Sequence, residues 1–207
     1  MTSVRRIVTG AIASSIAMAV PQNHMAFLGA GRLLARWALM LLTAAAIPAY
    51  TQAPPVDEYQ VKAAFLFNFA KFVDWPPQAF KSSDEPMEIC VFGPNPFGST
   101  LEDMVRGKVL GKRGFVVYRV SEPQRARTCH ILFLNESEDK RSRFVLDQLA
   151  GASILTVGEA EGFLANGGVV NFKLAEARVR IEISTAAADR AQLHISSKLL
   201  RLADTKR

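Results

Sequence analysis

The chain lacks most of the features on which catalysis relies. Among 207 residues it has three histidines and two cysteines, and no group of His, Cys, Asp and Glu stands at metal-ligand spacing. No Gly-x-Ser-x-Gly turn is present to expose a serine nucleophile. The glycine-containing loop 93–98 has two prolines and no lysine, which removes donors that a phosphate loop needs. We therefore expect no enzyme, no cofactor and no metal site.

Acidic residues are absent from positions 1–53, which contain four arginines. Arg32 and Arg36 precede an apolar segment, 37–46, and small residues follow it, which is the order of a secretory signal peptide. The apolar run is shorter than the ~20 residues that a membrane-spanning helix needs, although an uncleaved anchor is the alternative. We expect 1–53 to be a cleaved leader, with Met25 as an alternative translation start, and 54–207 to be one periplasmic domain.

The charge and the cysteines of residues 54–207 further limit the function. This part holds 21 Lys and Arg against 19 Asp and Glu, and its tightest basic run, 140–143, is flanked by acidic residues. A nucleic-acid partner is therefore not expected. Cys90 and Cys129 both lie in this part, and an oxidising compartment favours a disulfide between them. Two buried free thiols are the alternative.

The segment 57–75 predicts an aromatic-rich helix that ends at Pro76 and Pro77. Its apolar residues share one broad face, which also contains Lys62. Two aromatic residues lie instead on the polar face, and together with their polar neighbours they form a candidate partner-binding surface: Phe67, Asn68, Lys71, Asp74 and Trp75. Exposed aromatics beside polar groups are typical of protein-recognition surfaces. The alternative is that a neighbouring element covers both sides of the helix.

Short apolar runs alternate with helical patterns along the rest of the chain. This alternation predicts a single α/β domain with a mostly parallel sheet flanked by helices and a C-terminal antiparallel hairpin. We expect the hairpin, 169–174 and 178–183, to form the edge of the sheet. The other predicted strands are 88–92, 114–120, 129–134 and 153–157, and the main predicted helices after the first are 97–106 and 138–150, with Phe144 at an apolar position of the latter.

Several segments resemble the YfiR/HmsC-like family of bacterial periplasmic proteins. They are 62–76 (KAAFLFNFAKFVDWP), 89–93 (ICVFG), 96–98 (PFG), 129–133 (CHILF), 154–157 (ILTV), 161–163 (EGF), 167–168 (GG) and 195–203 (ISSKLLRLA). The resemblance extends in order through most of 58–203. It implies a compact mixed α/β domain that acts as a negative regulator in the periplasm. Some members carry further cysteines near the C-terminus, whereas this chain has none after Cys129.

The resemblance also implies a partner. This would be the periplasmic sensor region of an inner-membrane diguanylate cyclase, so that cyclic-di-GMP signalling and biofilm formation respond. A membrane sensor kinase is another partner that the family permits, and the resemblance also permits a homodimer. The alternative function is a small-ligand-binding sensor module that works with a membrane histidine kinase or a transporter. Such a ligand would bind in the crevice at the carboxyl ends of the parallel strands.

We expect export with cleavage of the leader. N-terminal sequencing of the protein from a periplasmic extract should begin between about Ile47 and Pro54, because Ala46, Ala49 and Ala53 are small residues suited to a cleavage site. Full-length chain retained in the membrane fraction would instead establish an uncleaved anchor.

Overall fold

The computed structural model describes residues 57–206, and within them one eight-stranded sheet carries helices on both faces. The predicted leader lies outside the described residues. The helices are α1 (Glu58–Phe72), α2 (Thr100–Val105), α3 (Pro123–Ala126), α4 (Asp139–Gln148), α5 (Thr185–Arg190) and α6 (Ser197–Leu200). The strands are β1 (Val73–Asp74), β2 (Met87–Phe92), β3 (Val109–Leu110), β4 (Arg113–Val120), β5 (Ile131–Leu134), β6 (Leu155–Gly158), β7 (Val170–Ala175), β8 (Arg178–Ser184), β9 (His194–Ile195) and β10 (Asp204–Lys206).

The strand order of the large sheet is β10-β8-β7-β6-β5-β2-β4-β3. Strands β4, β2, β5, β6 and β7 run parallel, and β7 and β8 form an antiparallel hairpin. The predicted fold class, a mostly parallel α/β sheet in a single compact domain, is confirmed. Because β2 lies between β4 and β5, the chain first adds a strand on one side of β2 and then continues on the other.

The central strands are buried on both faces, which explains their uninterrupted apolar sequences. Alternate residues of β2 and β5 contribute to two core clusters, one on each face of the sheet. Ile89 and Ile131 belong to the cluster that α1, α2, α5 and α6 cover. Leu132 belongs to the cluster that α3 and α4 cover, together with both cysteines.

The loop between β6 and β7 explains two glycines of the sequence. It places the fully buried ring of Phe163 against the sheet. A Cβ atom added at Gly158 would lie 2.4 Å from this ring, and one added at Gly168 would lie 2.2 Å from it. Only glycine leaves room for the aromatic side chain at these two positions.

Helix α1 ends earlier than the sequence predicted. Asp57 caps its N-terminus by accepting a hydrogen bond from the backbone N–H of Tyr59 (3.1 Å). The helix stops at Phe72, because Val73 and Asp74 form β1 and pair with β9. The two prolines that follow favour this extended backbone. Asp74 and Trp75 are therefore not on the helix, and their predicted placement on its polar face is wrong.

Two further predictions are wrong in part. Phe144 is 56% exposed on α4, so it is not one of the core-facing residues of that helix. The hairpin strand β8 is not the edge of the sheet, because β10 pairs with it in parallel. The hairpin itself turns at Glu176 and Ala177, which both have positive φ, as the tight turn between two antiparallel strands requires.

The structure joins Cys90 and Cys129 in the disulfide that the sequence predicted. Their Cα atoms lie 5.9 Å apart, well within the separation that a disulfide spans. Cys90 lies in β2, and Cys129 lies two residues before β5, which is the neighbour of β2 in the sheet. The bridge therefore closes the connection that runs through β4 and α3.

Cys90→Ser should remove about 4 kcal/mol of stability, because 39 positions separate the two cysteines and the bridge restrains this long loop in the unfolded chain. The melting temperature should fall by roughly 10 °C. Cys129→Ser and the double variant should melt near the same temperature, since each loses the same bond. Mass spectrometry of the native protein should show the loss of two hydrogens, whereas two thiols that alkylate freely in aerobically purified protein would contradict the bridge.

Candidate functional site

Three of the five residues predicted to bind a partner lie together on the last turns of α1. The ring of Phe67 packs edge-to-face on Phe115 of β4, with 5.2 Å between the ring centroids. The ammonium group of Lys71 lies 4.1 Å from the centroid of the Phe67 ring and donates a hydrogen bond to the Asn68 side chain (3.3 Å). Phe67 is therefore half-buried and held in place by β4 and by Lys71.

The other two predicted residues lie in the segment after α1. Asp74 is exposed in β1. Trp75 is half-buried, and its indole N–H donates to the carbonyl of His130 at 3.3 Å. Neighbouring elements thus cover part of both aromatic side chains, as the alternative interpretation of the sequence anticipated. We define the helix surface as Phe67, Asn68 and Lys71.

His130, directly after the bridged Cys129, is buried and neutral. Its ring stacks on Phe80 with the centroids 4.3 Å apart. Its Nδ1 atom accepts a hydrogen bond from the Glu88 backbone N–H (3.0 Å), so the proton is on Nε2 and is donated to the Ala79 carbonyl (3.2 Å). Because both nitrogens are occupied within the fold, this ring offers neither a metal ligand nor a general base.

Burial lowers the pKa of His130, and the Ala79 carbonyl opposes this effect only in part. The unfolded chain therefore takes up a proton near pH 6.5 that the folded protein resists. The contribution of this histidine to stability is complete above that pH and is lost as the pH falls.

One group of metal-binding residue types occurs in the described part of the chain. A carboxylate oxygen of Glu88 and the sulfur atoms of Cys90 and Cys129 lie within 4.8 Å of one another. Metals bind thiolates, and the disulfide leaves none. In the oxidised protein this group offers a metal ion only the carboxylate.

A buried cluster of charges around Lys62 was missed by the sequence interpretation, which only placed this lysine on the apolar face of the helix. The Lys62 side chain is 5% exposed, and its Nζ atom lies 2.5 Å from a carboxylate oxygen of Glu159, which is equally buried. It also lies 2.5 Å from Glu58, one turn earlier on α1. A lone cation on an apolar helix face was the signal that a buried acidic partner exists.

The other oxygen of Glu159 connects this cluster to the end of β5. It accepts hydrogen bonds from the Asn135 side chain (2.8 Å) and the Glu136 backbone N–H (3.1 Å). Burial alone lowers the pKa of Lys62, but the hydrogen bonds to Glu159 and Glu58 outweigh it and raise the pKa above its ordinary value. The lysine is therefore charged at every physiological pH.

This cluster lies at the edge of the sheet where the alternative function, a small-ligand sensor, would place its ligand. Asn135 and Glu159 directly follow β5 and β6, so they mark the carboxyl edge of the parallel sheet. Neither residue lines either of two cavities in the described part of the chain. The first, of about 580 Å³, lies between α4 and α5 and is lined by Arg143 and Arg190 among others. The second, of about 530 Å³, lies beside the disulfide and β4.

Lys62→Met should destabilise the protein by roughly 3–5 kcal/mol, because it leaves the buried Glu159 carboxylate without its cation. Adding Glu159→Gln should restore part of this loss, since the double variant buries no charge at either position. Urea unfolding measures both values. Lys198→Met, at an exposed lysine, is the control and should change stability by less than about 0.5 kcal/mol. A loss of less than about 1 kcal/mol for Lys62→Met would show that the pair contributes little.

Comparison with solved structures finds distant matches. One is a conserved domain protein from Vibrio cholerae O1 biovar eltor, with 10% identity and a TM-score of 0.48. Another is an ABC domain in complex with L-Trp from Streptococcus pneumonia, with 8% identity and a TM-score of 0.46. Each match covers 72% of this chain and 60% of the other, so the chain spans less than two thirds of these proteins. A search of curated proteins finds no significant match.

No helix within residues 57–206 combines the length and the apolar character that crossing a bilayer requires. The sequence model of the YfiR/HmsC-like family matches residues 59–204, which is nearly the whole of the described part. The match begins in α1 and ends in β10, and it includes the bridged cysteines, Lys62 and Glu159. The chain belongs to the YfiR/HmsC-like family.

Proposed function

We propose that residues 54–207 act in the periplasm as a negative regulator that binds the sensor region of an inner-membrane diguanylate cyclase. The observation that carries the proposal is the family match over residues 59–204. At the level of the family, this membership supports a periplasmic regulator of diguanylate cyclase signalling. Binding would hold the cyclase in its less active state, so that loss of the protein raises cyclic-di-GMP and promotes biofilm formation.

The buried side chains of His130 and Lys62 support a role in binding rather than catalysis. The nitrogens of His130 are both hydrogen-bonded within the fold, and Lys62 is paired with Glu159. These groups are committed to stability and are not available to a substrate. The disulfide suits an oxidising compartment, which supports export of the domain after removal of the leader 1–53.

The helix surface, with Asp74 and Trp75 beside it in sequence, is our candidate for the contact with the cyclase. Phe67 is already fixed by Phe115 and Lys71, so binding would cost little side-chain entropy. A rigid aromatic anchor beside a cation and an amide is the composition that binding hot spots favour.

A small-ligand sensor is the second candidate, and the cavity between α4 and α5 favours it. Arg143 and Arg190 would bind a carboxylate or a phosphate, while apolar residues such as Leu146 and Ala187 would contact the rest of the ligand. The neighbouring genes discriminate between the candidates: a membrane cyclase or kinase favours regulation, whereas a transporter favours ligand capture.

Phe67→Ala should weaken binding to the periplasmic region of the cyclase by more than ~2 kcal/mol, which is roughly a thirtyfold loss of affinity. It should also cost about 1 kcal/mol of stability, because the edge-to-face contact with Phe115 is lost. A strain that carries this variant should contain more cyclic-di-GMP than the parent strain.

The matched control is Phe144→Ala, at an exposed phenylalanine on the opposite face of the sheet, which should leave binding and cyclic-di-GMP unchanged. If Phe67→Ala unfolds the protein, Phe67 is a core residue that is required for folding, and it is not a binding residue. If Phe67→Ala folds and binds the cyclase normally, the helix surface is not the contact.

A further inference from the structure

The outer edge of β4 is open along most of its length. This strand pairs with β2 over Phe115–Val120, on its inner side. On its outer side β3 pairs only with Arg113 and Gly114. No other described strand lies beyond β4, so the outer edge from residue 115 to residue 120 has no strand partner among residues 57–206.

Successive residues of a strand direct their backbone N–H and C=O groups to opposite sides, so the pairing with β2 shows which residues of β4 face the open edge. The Val120 carbonyl accepts a hydrogen bond from the backbone N–H of Gly93, which follows β2. The backbone groups of Val120 therefore point toward β2. Residues 118 and 116 therefore also point their backbone groups toward β2. Those of Phe115, Val117 and Arg119 point outward; Phe115 lies next to the pairing with β3, and no described strand lies opposite Val117 or Arg119.

An open edge of this kind is a template for another strand. The sequence of β4 is rich in residues that favour strands, with Phe115, Val116, Val117 and Tyr118 in succession. An extended segment that pairs with the outward groups would gain regular backbone hydrogen bonds, and its alternate side chains would contact the two faces of the sheet beside β4.

The charged residues around the edge indicate which net charge the partner segment carries. Residues 106–127 contain seven lysines and arginines and one glutamate, whereas the whole of 54–207 has an excess of only two positive charges. Six of these cations are exposed, and one of them, Arg106, is paired with Asp103 (2.6 Å); the other five are Lys108, Lys112, Arg119, Arg125 and Arg127. This concentration favours an acidic segment and disfavours a second copy of the chain, which would bring a second basic edge against the first.

The two faces beside the edge already have features that would receive side chains. On one face lies the cavity of about 530 Å³, which is lined by Tyr118, Arg119 and Arg125 and also by two glutamates, Glu88 and Glu122. On the other face, Phe115 contacts Phe67 of the helix surface. The edge and the helix surface are therefore continuous.

We infer that the outer edge of β4 binds an extended acidic segment of a partner protein as an added strand, paired with the backbone of Val117 and Arg119. The inference names the contact surface of the proposed regulator, so its biological role rests on the proposed function. The pairing itself can be measured without the membrane partner.

The first experiment uses the protein purified from the periplasm and an eight-residue peptide of alternating valine and glutamate, with blocked ends. Fluorescence anisotropy should show binding that weakens with added salt. A version with lysine in place of glutamate should bind at least about tenfold more weakly, because it meets the basic edge with like charge. A version methylated on alternate backbone nitrogens should lose a similar factor, because it cannot pair with β4.

Variants of the protein separate backbone pairing from charge. Val117→Pro removes one outward N–H without breaking the ladder to β2, since proline is tolerated where the N–H faces solvent. It should weaken peptide binding roughly tenfold, whereas Val117→Ala, which keeps the N–H, should not. The double variant Lys112→Glu and Arg119→Glu should also bind weakly, while Arg178→Glu with Arg201→Glu, at exposed arginines elsewhere, should bind normally. Thermal melts check that each variant is folded.

Four results would overturn the inference. The methylated peptide binds as well as its parent, or Val117→Pro folds and binds normally. A single-stranded DNA oligomer competes fully with the peptide, which would assign the edge to polyanions in general. A dimer without peptide dissociates in Val117→Pro, which would assign the edge to a second copy.

Strains separate the inference from the proposed function. If deletion of the gene leaves the cyclic-di-GMP level unchanged, the proposed function is wrong. The peptide measurements still show whether the outer edge of β4 binds an acidic strand. If deletion raises the cyclic-di-GMP level but a strain with Val117→Pro has the level of the parent strain, the proposed regulatory function is supported. The outer edge of β4 is then not the contact surface for the cyclase.

Discussion

The buried ion pair between Lys62 and Glu159 determines where the first helix lies. It connects the N-terminal half of α1 to the carboxyl ends of β5 and β6, through Glu159 and its hydrogen bond from Asn135. Two charges that are both 5% exposed are costly to bury, so the contact is favourable only with the helix in this position. Hydrophobic packing of α1 would tolerate small shifts of the helix, whereas this pair would not.

The position of α1 has two consequences for binding. At its N-terminal half the charged cluster lies at the carboxyl ends of β5 and β6, beside the topological switch point between β2 and β5. At its C-terminal half it places Phe67 on Phe115, next to the open edge of β4. The same helix therefore carries both the buried charged cluster and the helix surface.

Hydrophobic patterns predicted the fold well because burial on both faces leaves a clear signal in β2, β5 and β6. They failed where a few backbone hydrogen bonds or charges decided the structure. The strand β10, Asp204–Lys206, is polar throughout and forms only because β8 offers it an edge. Asp74 and Trp75 leave the helix because β9 pairs with β1. The burial of Lys62 depends on Glu159, which lies 97 residues away in the chain, so no local sequence pattern could predict the pair.

The basic segment around β4 was also missed, for a different reason. Its cations are spread over residues 106–127, so no short run stands out, and only the fold of α2, β3 and β4 brings them to one edge of the sheet. Cations are one means by which proteins keep an open edge from pairing with other copies. The charges that prevent self-pairing are the same charges that attract an acidic strand. The positive charge of this edge therefore both discourages aggregation and selects an acidic partner.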